Sequence, residues 1–136
     1  MGALNYLHPI MSKILCVDDD VEGMASRKEV LESEGHQVWR ALSGDEALRV
    51  MQTEEIELAI VDYYLPNTNG LALAVAMKRL KPALAIIMLS GFGPLPGEGA
   101  GIASSWILKG SGPTQLLQVV RKIMAEKNRQ PTITEN

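Results

Sequence analysis

Short apolar runs that show no polar alternation punctuate this chain, and longer amphipathic stretches separate them. KILCVD (13–18), LAIVD (58–62), ALAIIMLS (83–90) and SWILK (105–109) are such runs, and HQVWRA (36–41) is a weaker one. Strands of this length that are apolar on both sides belong in a parallel sheet covered on both faces. The intervening stretches read as helices. In 21–34, Val21, Met24, Ala25, Val30 and Leu31 recur at helical spacing, with Gly35 placed to end the helix. In 43–52, Ser43 followed by Glu46 is a capping-box signature. Residues 70–80 form an apolar helix closed by Lys81-Pro82, and 114–126 form a last helix with Thr114 or Ser111 near its start. This alternation predicts an α/β fold with a doubly wound, five-stranded parallel sheet in a three-layer sandwich. The 136 residues suit one domain over 13–126, with 1–12 an N-terminal tail and 127–136 a polar C-terminal tail too short to fold as an output domain.

In a sheet of this kind, chemistry collects beyond the carboxyl ends of the strands, where strand order reverses. The first run ends in Asp18-Asp19-Asp20, the third in Asp62, the fourth in Ser90 and the fifth in Lys109. Clustered carboxylates repel one another unless a cation balances them. Oxygen-only ligands favour a hard ion such as Mg²⁺ or Mn²⁺. Beside such an ion Asp62 can act as a nucleophile toward a phosphoryl group, while Lys109 and Ser90 pair with its oxygens. Taken singly, each residue has a plainer reading. An acidic triplet is usually a solvated turn with a helix cap, a serine usually bonds backbone, and a lysine usually sits on the surface. Their joint placement at strand ends selects the functional reading.

Composition narrows the classes. A net charge of −3 without a basic cluster argues against nucleic acid as a direct partner. The single Cys16 excludes an internal disulfide framework and fits a reducing, cytoplasmic compartment. No apolar run is long enough to span a bilayer. Cys16, Met24, Met51, Met77, Met88 and Met124 read as core, and His36 as a strand-start residue without chemistry.

ILCVDDD, LAIVDYYLPNTNG, IIMLSG and WILKG, in that order and each closing an expected strand, resemble the receiver domains of bacterial two-component response regulators. The resemblance covers about residues 13–126 and implies a flavodoxin-like (CheY-like) sandwich. It also implies Mg²⁺ held by Asp18, Asp19, Asp62 and the Tyr64 backbone carbonyl, with Asp18 acting largely through water. By resemblance Asp62 is the phosphoacceptor, Ser90 the family's hydroxyl, Lys109 its lysine, and Trp106 occupies the aromatic switch position. Pro66 and Gly70 match the loop after the acceptor. The implied donor is a histidine kinase or a histidine phosphotransfer protein, and the implied output is a downstream protein or an output domain.

Three departures accompany the resemblance. Gly110 stands where the family has a proline after a typically cis bond; cis before glycine costs about 2.5–4 kcal/mol, so Lys109–Gly110 is either trans or strained. Residues 91–101 hold five glycines and two prolines, which predicts a shortened or irregular fourth helix. Bulky Tyr64 and Phe92 occupy the two positions that control water access, which predicts slow self-dephosphorylation. Three other functions compete. One is a degenerate receiver acting as a phosphate-independent adaptor. A flavodoxin-like cofactor binder is disfavoured by acids where a phosphate loop belongs. A metal-dependent aspartyl phosphatase is disfavoured by Tyr64, two residues past Asp62.

Overall fold

A computed structural model describes residues 12–91 and 101–129. Five strands, β1 (Lys13–Val17), β2 (Gln37–Ala41), β3 (Leu58–Asp62), β4 (Ala85–Ser90) and β5 (Ser105–Leu108), alternate with four helices, α1 (Val21–Ser33), α2 (Gly44–Thr53), α3 (Gly70–Leu80) and α4 (Pro113–Arg129). The strands pair in parallel in the order β2-β1-β3-β4-β5. The chain therefore steps outward from β1 to β2, then returns past β1 to β3. The reversal lies between β1 and β3, the two strands that end in acids.

Period-two geometry explains why these strands look uniformly apolar. Ile14 and Cys16 of β1, Leu58 and Ile60 of β3, and Ile87 and Leu89 of β4 turn to one face, against Met24 and Leu31 of α1 and Leu116, Val120, Ile123 and Met124 of α4. Their neighbours Leu15, Val17, Ala59, Val61, Ile86 and Met88 turn to the other, against Ala47 of α2 and Leu73, Ala74 and Met77 of α3. Each fully buried Leu, Ile or Met side chain contributes about 1.5–3 kcal/mol, so the sheet is held from both sides.

Helix starts follow their caps. Asp20 accepts from the Gly23 amide, Ser43 from Glu46 and Asn69 from Ala72. Glu46 returns its carboxylate to the Leu42 amide at 2.6 Å, one residue earlier than a strict capping box places it. Gly35 adopts φ +95 just past the end of α1, the left-handed position that glycine fills without strain.

The observed elements differ from expectation mainly at their ends. β4 begins at Ala85 rather than residue 83 because Leu84 still donates to the Lys81 carbonyl in a turn. α4 starts at Pro113 and continues to Arg129, three residues past the expected end. Lys127 anchors that last turn by donating to the Ala83 carbonyl at 2.6 Å. Gly91 and residues 101–104 are not helical. The remainder of the expected irregular fourth helix, with Phe92, lies outside the described residues, as do residues 1–11 and 130–136. Among the described residues no helix is long and apolar enough to cross a membrane.

His36 is buried at the entry to β2, and its Nδ1 accepts from the Ser12 amide at 3.3 Å. Burial holds its pKa below the ordinary 6.5, the charges of Glu34 and Glu57 opposing the shift. Between the two values the unfolded chain binds the extra proton, so stability falls as pH drops below about 6.5. Urea midpoints measured between pH 7.5 and 5 should show that decline, and His36→Gln should flatten it.

Candidate functional site

The sheet register assembles the site residue by residue. Val17 of β1 pairs with Val61 of β3, so Asp18 and Asp62 emerge side by side, one step beyond the pair. Asp62 pairs with Leu89, and Ser90 follows one step beyond on β4. Ser90 pairs with Leu108, and Lys109 again follows one step beyond. Backbone bonds fasten this staircase, from the Tyr63 amide to Leu89 O and from the Lys109 amide to Ser90 O, both at 2.8 Å.

Carboxylate oxygens of Asp18, Asp19 and Asp62 lie within 4.8 Å of one another. Asp18 and Asp62 are buried, whereas Asp19 is exposed. Lys109 Nζ donates to Asp62 Oδ2 at 2.9 Å and stands 3.2 Å from Asp18 Oδ2, bridging the two buried acids. The Asp20 amide donates to Asp18 Oδ1 at 2.9 Å, and the Tyr64 amide to Asp62 Oδ1 at 3.2 Å. Asp20 itself turns away as the α1 cap, so the plain reading of the acidic triplet holds for its third member. An all-oxygen donor set, one member open to solvent and two held rigidly by the sheet, suits a hard divalent cation.

The two buried acids titrate in opposite directions. Burial pushes Asp18 up, but the Asp20 amide, the hydrogen bond shared with Asp62, and the Arg27 and Lys109 charges outweigh it and hold the group below 3.8. Asp62 stays above 3.8, raised by burial and by the charge of Asp18 against the opposing Lys109. Burial alone would lower Lys109; its contacts with Asp62 and Asp18 raise it, which keeps the amine charged. Of the two buried acids Asp62 is thus the less stabilised anion and the one more relieved by an added positive charge.

Every peptide bond among the described residues is trans, so Lys109 is aimed without a cis bond. Gly110 at φ +87 and Gly112 at φ +95 turn the chain into α4 instead. Gly70 is similarly constrained: a Cβ there would sit 2.1 Å from the Asp62 carbonyl oxygen, while its amide donates to Tyr63 O at 2.6 Å. This close approach clamps the loop behind Asp62. At the base of that loop Tyr64, bridged to Asn69, is 57% exposed. Trp106 is partly buried and packs at 5.9 Å between ring centres against Tyr63, the residue next to Asp62.

Arg27 was not visible as a site residue in the sequence. Its guanidinium forms an ion pair with Asp18 Oδ2 from the second turn of α1. Helical side chains lean toward the helix N-terminus, so a basic residue two turns beyond a strand-end acid can reach back to it.

The profile of the response regulator receiver domain matches residues 14–121. Sporulation initiation phosphotransferase F of Bacillus subtilis is 30% identical over 83 residues, which cover 61% of this chain and 67% of that protein. The transcriptional regulatory protein GlrR of Escherichia coli is 34% identical over 83 residues, but the chain spans only 19% of its length. Among solved structures, a receiver domain from Methanospirillum hungatei superposes with a TM-score of 0.83 at 30% identity, over 89% of this chain and 99% of that one. The response regulator TrrA of Thermotoga maritima, in complex with Mg²⁺-BeF, superposes at 0.76 and 28% identity, over 83% of this chain and 99% of that one.

Asp62 is buried beside the Asp18 charge and shares Lys109 with it, so holding it as an anion is a stability cost. Asp62→Asn should raise the unfolding free energy by about 1 kcal/mol at pH 7.5 in chelator-treated buffer, read from urea midpoints.

Proposed function

The chain belongs to the response regulator receiver family, and on that premise we propose that Asp62 accepts a phosphoryl group from a partner phosphohistidine. The observation that carries the reading is Lys109 Nζ, 2.9 Å from Asp62 Oδ2, beside three carboxylates clustered within 4.8 Å. A carboxylate oxygen of Asp62 attacks phosphorus in line as the bond to the donor imidazole nitrogen breaks, leaving an acyl phosphate and a free histidine. Asp18, Asp19, Asp62 and the Tyr64 carbonyl are the residues that would hold Mg²⁺ or Mn²⁺. When bound, the ion supplies charge neutralisation at the phosphoryl oxygens.

The chain's own groups do the rest. Lys109 passes from the Asp62 carboxylate to a phosphoryl oxygen, and the Ser90 hydroxyl donates to another. Because these two residues end adjacent strands, both loops beyond them feel the change. Tyr63, in ring contact with Trp106, links the acceptor loop to the edge strand. Exposed Tyr64 shields the acyl phosphate and cannot position an attacking water, so hydrolysis is slow. The donor is a histidine kinase or a phosphotransfer protein, and the output passes to a downstream protein or an output domain. No feature of the site favours the adaptor reading, since acid, hydroxyl and amine all stand at one rim.

Intact-mass analysis after acetyl phosphate and Mg²⁺ should show one added phosphoryl group, abolished in Asp62→Asn; an adduct that survives the substitution would refute the assignment. In a Trp39→Phe background, beryllofluoride with Mg²⁺ should change Trp106 fluorescence, and an unaltered signal would remove Trp106 from the switch.

A further inference from the structure

Arg27 lies outside every motif that carries the family resemblance, yet its guanidinium pairs with a buried acid of the site. The arrangement is specific. Asp18 is 1% exposed and Arg27 18% exposed in their side chains. Arg27 Nε is buried and has no hydrogen-bond partner among the described residues, and the guanidinium's ion pair is with Asp18. Gly23 makes room for the helix cap: a Cβ there would stand 2.6 Å from Asp20 Oδ2, and at ordinary contact distance, 3.4 Å, from Arg27 Nη1. A glycine inside a helix weakens it, and here the missing side chain leaves room for the Asp20 cap.

Three carboxylates, Asp18, Asp19 and Asp62, face two cations, Lys109 and Arg27, so the resting cluster carries a single net negative charge. Without Arg27 it would carry two. We propose that Arg27 is a resident counter-cation that weakens binding of the divalent ion alone and strengthens the state holding both ion and phosphoryl group. This rests on the reading of Asp62 as phosphoacceptor and of the three acids as the cation site. Asp18 Oδ2 is shared by Arg27 and Lys109. When Lys109 turns to the phosphoryl group, Arg27 remains to neutralise Asp18, and the lysine is released at little electrostatic loss. Arg27 is a positioning residue: it acts through Asp18 and through the charge of the site.

Removing one positive charge acts oppositely on a dication and on an anion. A purely structural role, in which Asp18 is merely misplaced, would weaken both. Calorimetric titration of the full chain with Mg²⁺, and of the Mg²⁺-saturated chain with beryllofluoride, separates the two. Arg27→Gln and Arg27→Met should each lower the Mg²⁺ Kd by about fivefold to tenfold and raise the beryllofluoride Kd by a similar factor, while Arg27→Lys stays near wild type. Gln keeps a polar tip and Met the apolar stem, so a variant that fails to fold leaves the other to decide. Both constants moving in one direction, or both staying within twofold of wild type, would overturn the counter-cation. Beryllofluoride binding that persists in Asp62→Asn would instead refute the acceptor reading, and the Mg²⁺ titration would still decide the role of Arg27.

Discussion

Parallel pairing of β1 with β3 forces two carboxylates together at the rim of the sheet, where Val17 and Val61 are partners and the next residue on each strand is an aspartate. Neither acid can move away, because the strands beneath them are packed on both faces. Like charges held this close must be balanced or protonated. The remainder of the site answers that constraint. Lys109 arrives from two strands away and bridges both acids, and Arg27 reaches back from α1 to the more buried one. The balance is uneven: Asp18 collects two cations and a backbone amide, whereas Asp62 has the lysine and the Tyr64 amide. Asp62, the acid left with less compensation, is the one that an added positive charge would relieve more.

The elements and turns around this cluster hold its residues in place. Asn69 caps α3, and Gly70 packs against the Asp62 carbonyl so closely that no side chain fits. The loop after Asp62 therefore has its far end fixed against the strand it leaves. On the other flank, Gly110 and Gly112 in left-handed conformations carry Lys109 into α4. This replaces a cis proline turn with a glycine turn of different geometry, and the lysine still reaches Asp62. The amine is thereby followed by a backbone turn that glycine adopts without strain.

Much of the fold was legible in the sequence. The strand runs were recognisable because both faces are buried, and the helix starts because Asp20, Ser43 and Asn69 carry the side chains that N-caps need. The shared placement of Asp18, Asp62, Ser90 and Lys109 was legible, since one topological rule assigns the ends of such strands to one rim. Element ends were less visible. α4 outruns its apolar pattern because Lys127 finds a carbonyl 44 residues away, a contact with no local signal. The division of labour in the acidic triplet was equally hidden, as only the fold shows Asp18 buried, Asp19 open to solvent and Asp20 turned to the helix.

By itself the sequence determined the class of sheet, the rim where chemistry collects and the residue types available there, because burial periodicity and capping are local properties of the chain. Only the tertiary structure decided how charge is shared among those residues: that Lys109 spans two acids, that Arg27 joins them, and that Lys109–Gly110 is trans with its glycine left-handed. The physical reason is range. Electrostatic balance depends on distances between groups up to 91 positions apart in the chain, and those distances exist only once the strands have paired.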